Sequence, residues 1–223
     1  VSINPTAGYN DDAYDCDVVA SDADGETISY TYVWTNETTG STLGTSSSLT
    51  LDSSTASPED VIQCAVVASD GSDTDSDSDQ LTLDNRSPSL SSVAISYTGS
   101  LTTTTALTCS ASVSDDDGES VSPTYAWSNA GVIIGTSSTI TLTSSVAQPG
   151  DTIVCTATAT DSYSGSDSDT DSVSIGNSVP VISSVSINPT AGYNDDAYDC
   201  DVVASDADGE TISYTYVWTN ETT

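Results

Sequence analysis

Residues Val185–Thr223 repeat Val1–Thr39 letter for letter, at an offset of 184 residues. Self-similarity at a fixed period restricts a chain to architectures assembled from copies of one unit. Two histories produce such identity: a recent duplication, or a window cut from a long periodic chain. The segment starts inside one expected strand and stops inside another, which favours the window and detaches its ends from biological termini. A second, divergent repeat lies inside the first. Cys16, Cys109 and Cys200 are spaced by 93 and 91 residues, as are Trp34, Trp127 and Trp218, and Cys64 and Cys155 are 91 apart. The module is therefore about 92 residues long, close to the ~100 of a small β-sandwich. The chain divides into modules 1–86, 87–178 and a partial 179–223.

Within the first module, "AYDCDVVAS" places Tyr14, Cys16, Val18 and Ala20 on one face. "ISYTYVW" does the same for Ile28, Tyr30, Tyr32 and Trp34, and "EDVIQCAVVASD" for Ile62, Cys64, Val66 and Ala68. Alternation with period two is the pattern of half-buried strands. Short "LTL" and "QLTL" runs follow at Leu49–Leu51 and Gln80–Leu83, and the second module gives the same series. About a third of the chain is Ser or Thr, a composition compatible with disorder. The periodic placement of three tryptophans, eleven tyrosines and many β-branched residues argues for an all-β fold instead.

The order Cys16, Trp34, Cys64, repeated as Cys109, Trp127, Cys155, resembles the immunoglobulin-like fold, with a tryptophan on strand C between cysteines on strands B and F. Ile62 and Ile153 stand where that family's antibody domains carry a tyrosine, so the likeness is to Ig-like modules and not to antibody domains. "SDADGETISYTYVW", "GTSSSLTL" and "PGDTIVCTATATD" look like tandem Ig-like, PKD-like or cadherin-like repeats of large prokaryotic surface proteins. The resemblance implies disulfides Cys16–Cys64 and Cys109–Cys155, each worth about 4 kcal/mol by the chain-entropy account, and an oxidising, extracellular setting. Reduced core cysteines are the alternative. Cys200 lacks a partner because the chain stops before the next F strand.

Thirty-four acids face one base, Arg86, for a formal charge of −33, and the chain lacks Lys, His, Met and Phe. This removes imidazole and amine chemistry and disfavours nucleic acid and anionic membranes as partners. Cations are favoured. No apolar run approaches the ~20 residues of a membrane span, and no signal segment is visible, which the window reading makes uninformative. No nucleophile and base pair can be argued, and a carboxylate dyad repeated in every module is not how an active site is deployed, so no enzyme activity is expected.

In an Ig-like sandwich the B–C and F–G loops face the preceding module. The sequence therefore gathers candidate calcium ligands at each junction: Asp22, Asp24, Glu26 and Asp70 in module one, Asp84, Asn85, Asp115, Asp117, Glu119 and Asp161 at module two, and Asn177, Asp206, Asp208 and Glu210 at module three. Calcium takes about six to eight oxygens, and cadherin-type repeats similarly bind it with acidic loops and an Asn-containing linker. The competing reading is a solvated acidic turn or general salt adaptation. The Asp-Ser alternations "DGSDTDSDSDQ" and "DSYSGSDSDTDS" read as edge strands guarded by charge, ahead of a second metal site. Asn36, Asn85 and Asn220 begin N-glycosylation sequons, Asn36 and Asn220 on an expected exposed turn, and "LTTTTALT" and "GTSSS" are candidates for O-linked sugar.

Two functions of different class follow. One is structural: an extracellular filament or cell-surface stalk of interchangeable modules, partnered by neighbouring modules or copies of itself and stiffened by disulfides and junction calcium. The other is an adhesin whose modules or distal tip bind glycans, cells or matrix. The good match of the acidic loops between modules favours the first.

Overall fold

The computed structural model describes residues 1–222, and these are all β. In the first module the strands are β1 (Ser2–Asn4), β2 (Ala13–Asp17), β3 (Ser29–Asn36), β4 (Ser41–Gly44), β5 (Ser48–Thr50), β6 (Val61–Ser69) and β7 (Thr74–Thr82). They form two sheets, β1-β2-β5 and β4-β3-β6-β7. This is the A-B-E and C′-C-F-G arrangement of an immunoglobulin-like sandwich. Strands β8 (Ser89–Ser96), β9 (Ala106–Ser114), β10 (Thr124–Asn129), β11 (Val132–Gly135), β12 (Thr139–Thr141), β13 (Thr152–Thr160) and β14 (Ser166–Ser174) repeat it as β12-β9-β8 and β11-β10-β13-β14. Strands β15 (Val181–Asn188) and β16 (Asp199–Ser205) pair with each other.

The period-two faces read from the sequence are buried where the strands run, though β2 ends at Asp17 and Ala20 beyond it is exposed. Tyr14 and Cys16 on β2, and Ile62, Cys64 and Val66 on β6, point inward. Cys16–Cys64 and Cys109–Cys155 are bonded, with S–S lengths of 2.06 and 2.07 Å. Trp34 and Trp127 have no solvent exposure. Each indole N–H donates to a carbonyl, Ser46 or Ser137, at 2.9 Å, so burial of the ring leaves no polar atom unpaired. Ile62 and Ile153, at the position where antibody domains carry a tyrosine, are fully buried. On β3 the inward face is shorter than the sequence suggests: Tyr30 is exposed and Asn36 is buried in its stead.

The acid series begin in the loops that hold Asp70, Asp73 and Asp161 and continue along the edge strands β7 and β14. Their carboxylates do more than repel: Asp79 accepts the Ile3 N–H at 2.9 Å and Asp171 the Ile95 N–H at 2.8 Å. Side chains of the last strand thus satisfy backbone donors on the first strand of the opposite sheet.

The identical 39-residue copies test what sequence alone decides. Ile3↔Cys16 and Ile187↔Cys200 share one register. Yet Ser29–Asn36 is a strand while Ser213–Asn220 is not, and Trp34 is buried while Trp218 is 54 % exposed. β3 is flanked by β4 and β6, and the 223 residues hold no second copy of those partners for the later segment.

By contact density the chain forms two compact units. Unit one contains Val1–Leu90, Val113–Ser122 and Ala159–Asp167, and unit two contains Ser91–Ser112, Pro123–Thr158 and Ser168–Thr223. The acidic loop and the β13–β14 loop of the second module therefore pack with the first module.

Candidate functional site at the module joints

Buried polar groups mark where a fold spends specific interactions, because each must find a partner. Among the described residues these are Asn10, Asn36, Asp60, Thr103, Asp117, Asp161 and Asp208. Asn36 and Asp60 pair with each other, Nδ2 to Oδ2 at 2.7 Å. The other five lie at two joints, the first wholly within unit one and the second wholly within unit two.

At the first joint Asp117 is 2 % exposed. Its Oδ2 accepts the Arg86 backbone N–H at 2.6 Å and its Oδ1 accepts from Arg86 Nη1 at 2.9 Å. Asn10 Nδ2 donates to the Asp117 carbonyl at 2.8 Å. Arg86, the chain's single base, also donates through Nη2 to Asp11 at 2.6 Å and lies 3.9 Å over the Tyr9 ring. Burial opposes its charge, but the hydrogen bond and charge of Asp11, with the charges of Asp117 and Asp12, hold its pKa above the ordinary value. Tyr163 adds a contact from the β13–β14 loop. Burial pushes its phenol up, the Ser57 hydrogen bond opposes this, and Glu119, Asp60 and Glu59 add to the rise.

The second joint uses the matching positions. Asp208, 1 % exposed, accepts the Ser178 N–H on Oδ2 and, on Oδ1, the Thr103 N–H and hydroxyl at 3.3 and 2.8 Å. The Ser178 bond, then the Thr103 hydroxyl, hold its carboxyl below the usual range. Asn10 and Thr103 each stand six residues before the first cysteine of their module, and Asp117 and Asp208 each eight after it. The next residue is glycine in both, at φ +84° and +80°. A Cβ there would stand 2.8 Å from Ser53 and 3.4 Å from Ser144, and those serines are again equivalent, eleven before the second cysteine. A linker N–H, a buried polar side chain and a close-packed serine of one module thus meet Asp-Gly of the next, twice.

Three acid clusters have carboxylate oxygens within 4.8 Å of one another: Asp22, Glu26 and Asp70; Asp115, Glu119 and Asp161; Asp206, Asp208 and Glu210. In the first, Asp22 Oδ1 accepts the N–H groups of Asp24, Gly25 and Glu26, and Asp70 Oδ1 those of Ser72 and Asp73. In the second, linker Asn85 donates to Asp161 Oδ2 at 3.0 Å, and Asp161 Oδ1 accepts from Tyr163 and Gly165. Several expected ligands lie elsewhere. Asp117 is committed to Arg86, Asp24 and Asp84 are exposed outside the clusters, and Asn177 is exposed with its amide on the Ser178 carbonyl at 2.7 Å.

The sequon asparagines differ. Asn36 is not on an exposed turn: it is buried, its Nδ2 held by Asp60 and its Oδ1 accepting from Thr38 and Thr39. Its counterpart Asn129 makes the same clasp to Asp151 at 2.6 Å without a sequon, so the asparagine has a structural reason. Asn85 is half-buried and Asn220 exposed. The residues missed in the sequence, Asn10, Thr103, Ser53, Ser144 and the pairing role of Arg86, sit in loops without periodicity. Their usable signal was equivalence between modules and, for Arg86, solitude.

Strand order, a cross-sheet disulfide packed on a buried tryptophan, and repetition define this chain as tandem immunoglobulin-like modules. No family model matches it, and no curated protein does. Among solved structures, the three N-terminal domains of the bacteriophage RB49 Highly Immunogenic Outer Capsid protein (Hoc) align over 91 % of this chain and 68 % of that one, at 16 % identity and a TM-score of 0.29. The described residues contain no helix long and apolar enough to cross a membrane.

Proposed function

We propose that this chain is a structural stretch of an extracellular filament or cell-surface stalk, built from Ig-like modules 1–86, 87–178 and 179–223 joined in series, without catalytic activity. The observation that carries the reading is the recurrence of one joint at equivalent positions. An adhesive module needs variable loops, whereas here Asp117-Gly118 and Asp208-Gly209 engage matching residues of the module before. A joint specified by buried hydrogen bonds resists pivoting in a way that a flexible Gly/Ser linker does not. Disulfides inside the first two modules keep them from unravelling under load and fit an oxidising, extracellular setting. The surplus negative charge keeps such arrays soluble and apart from one another. Electron microscopy of the native material tests the reading. Regular filaments with an axial repeat of one or two modules are expected, and isolated stalks ending in a distinct tip would support the adhesin instead.

A further inference from the structure

Among the three acid clusters, the second is the one that holds buried oxygens without a hydrogen-bond partner. Asp22, Glu26 and Asp70 carry the same residue types at the same loop positions, and the oxygens Asp22 Oδ1 and Asp70 Oδ1 are capped by local backbone donors. At Asp115, Glu119 and Asp161 the linker crosses the cluster, and three oxygens are left buried without a hydrogen-bond partner: Asp115 Oδ2, Glu119 Oε2 and Asn85 Oδ1. Two belong to carboxylates, and the third to the linker amide whose nitrogen donates to the third acid, Asp161. Orphaned buried acceptors are costly, and charged ones more so.

Among the described residues nothing supplies the missing partner. The chain's one basic side chain, Arg86, is committed to Asp117 and Asp11. The cradle is tight as well, since a Cβ on Gly165 would collide with Asp161 and Asn85. Three carboxylates with oxygens within 4.8 Å and an orphaned amide oxygen make an anionic, all-oxygen donor set from three separate stretches of chain. That set suits a hard divalent cation. Irregular loop ligands suit calcium over magnesium, which demands a near-ideal octahedron and keeps its waters, and no sulfur or imidazole is present for softer metals.

We propose that Asp115, Glu119, Asp161 and the Asn85 side-chain oxygen Oδ1 bind one calcium ion, which ties the linker to the acidic loop and the β13–β14 loop. The ion neutralises the cluster as Arg86 neutralises Asp117 beside it. This inference rests on the joint that the proposed function invokes and adds the ligand that closes it.

The test is calorimetric titration of calcium chloride into the intact, metal-stripped chain, with magnesium chloride as competitor. One site per chain is expected, preferring calcium, and weakened by about tenfold or more in Asp115→Asn and Glu119→Gln, each of which removes a charged ligand. Asn85→Leu should weaken it, and Asn85→Asp, which retains the oxygen, should bind at least as tightly as the unaltered chain. Asp24→Asn should change nothing. The proposal is overturned if calcium shows no saturable binding up to millimolar concentration, if magnesium binds equally well, or if the isotherm survives in the Asp115→Asn, Glu119→Gln double variant. Measuring backbone amide exchange at Arg86 in the same samples separates the two readings: protection without calcium binding removes the ion and leaves the tandem joint standing.

Discussion

One carboxylate, Asp117, shows how much a joint can rest on a single residue. Its side chain is fully buried, and Arg86 meets it through both backbone and guanidinium. Removing one member of a buried pair leaves an uncompensated charge, which costs about 3 kcal/mol or more. Arg86→Leu should therefore lower stability by about that amount in thermal or chemical denaturation, with Arg86→Lys recovering part of it. Gly118→Ala and Gly25→Ala form a matched pair. Both place a Cβ at positive φ, for about 1 kcal/mol of strain, but only Gly118 faces a serine at 2.8 Å, while Gly25 faces open space. The Gly118 variant should lose measurably more, and equal losses would mean that the contact is not part of the joint. Asp208 gives a pH dependence. Its folded pKa is depressed below the ordinary 3.8, so its contribution is fully present above that value and is lost as pH falls through the folded pKa. The Ser178 amide resonance should shift only in that acid window, and a transition near neutrality would contradict the assignment.

At the scale of elements, the disulfide Cys16–Cys64 closes a separation of 48 residues. Replacing both cysteines by alanine should cost the first module about 4 kcal/mol, read as an earlier denaturation midpoint. The strands around these cysteines were legible in the sequence because a one-sided strand writes its burial as alternation, as in Tyr14, Cys16 and Ile62, Cys64, Val66. Tyr30 was misread because alternation gives the face but not how far along it the core extends. Asn36 was misread for a different reason. A sequon reports a local motif, whereas the Asp60 that buries it arrives from 24 residues away. Asn10 and Thr103 were invisible singly, since a polar loop residue carries no period; only alignment of the two modules brings them together.

The molecule as a whole carries two joints built alike from different residues: Arg86 with Asn10 at one, Ser178 with Thr103 at the other, both docked on an Asp-Gly of the following module. The acidic loop was found in the sequence as a metal candidate. Its third acid turned out to be the latch, and the cluster beside it the cation candidate, a division that depends on which carboxylate the linker reaches and so is not written in spacing. Backbone hydrogen exchange of the intact chain tests the central claim most directly. If the joints are held as described, the Arg86 and Ser178 amides are both protected well beyond their exposed loop neighbours, and Asp117→Ala and Asp208→Ala each release only their own amide. Exchange of both amides at the rate of an unstructured linker would contradict it.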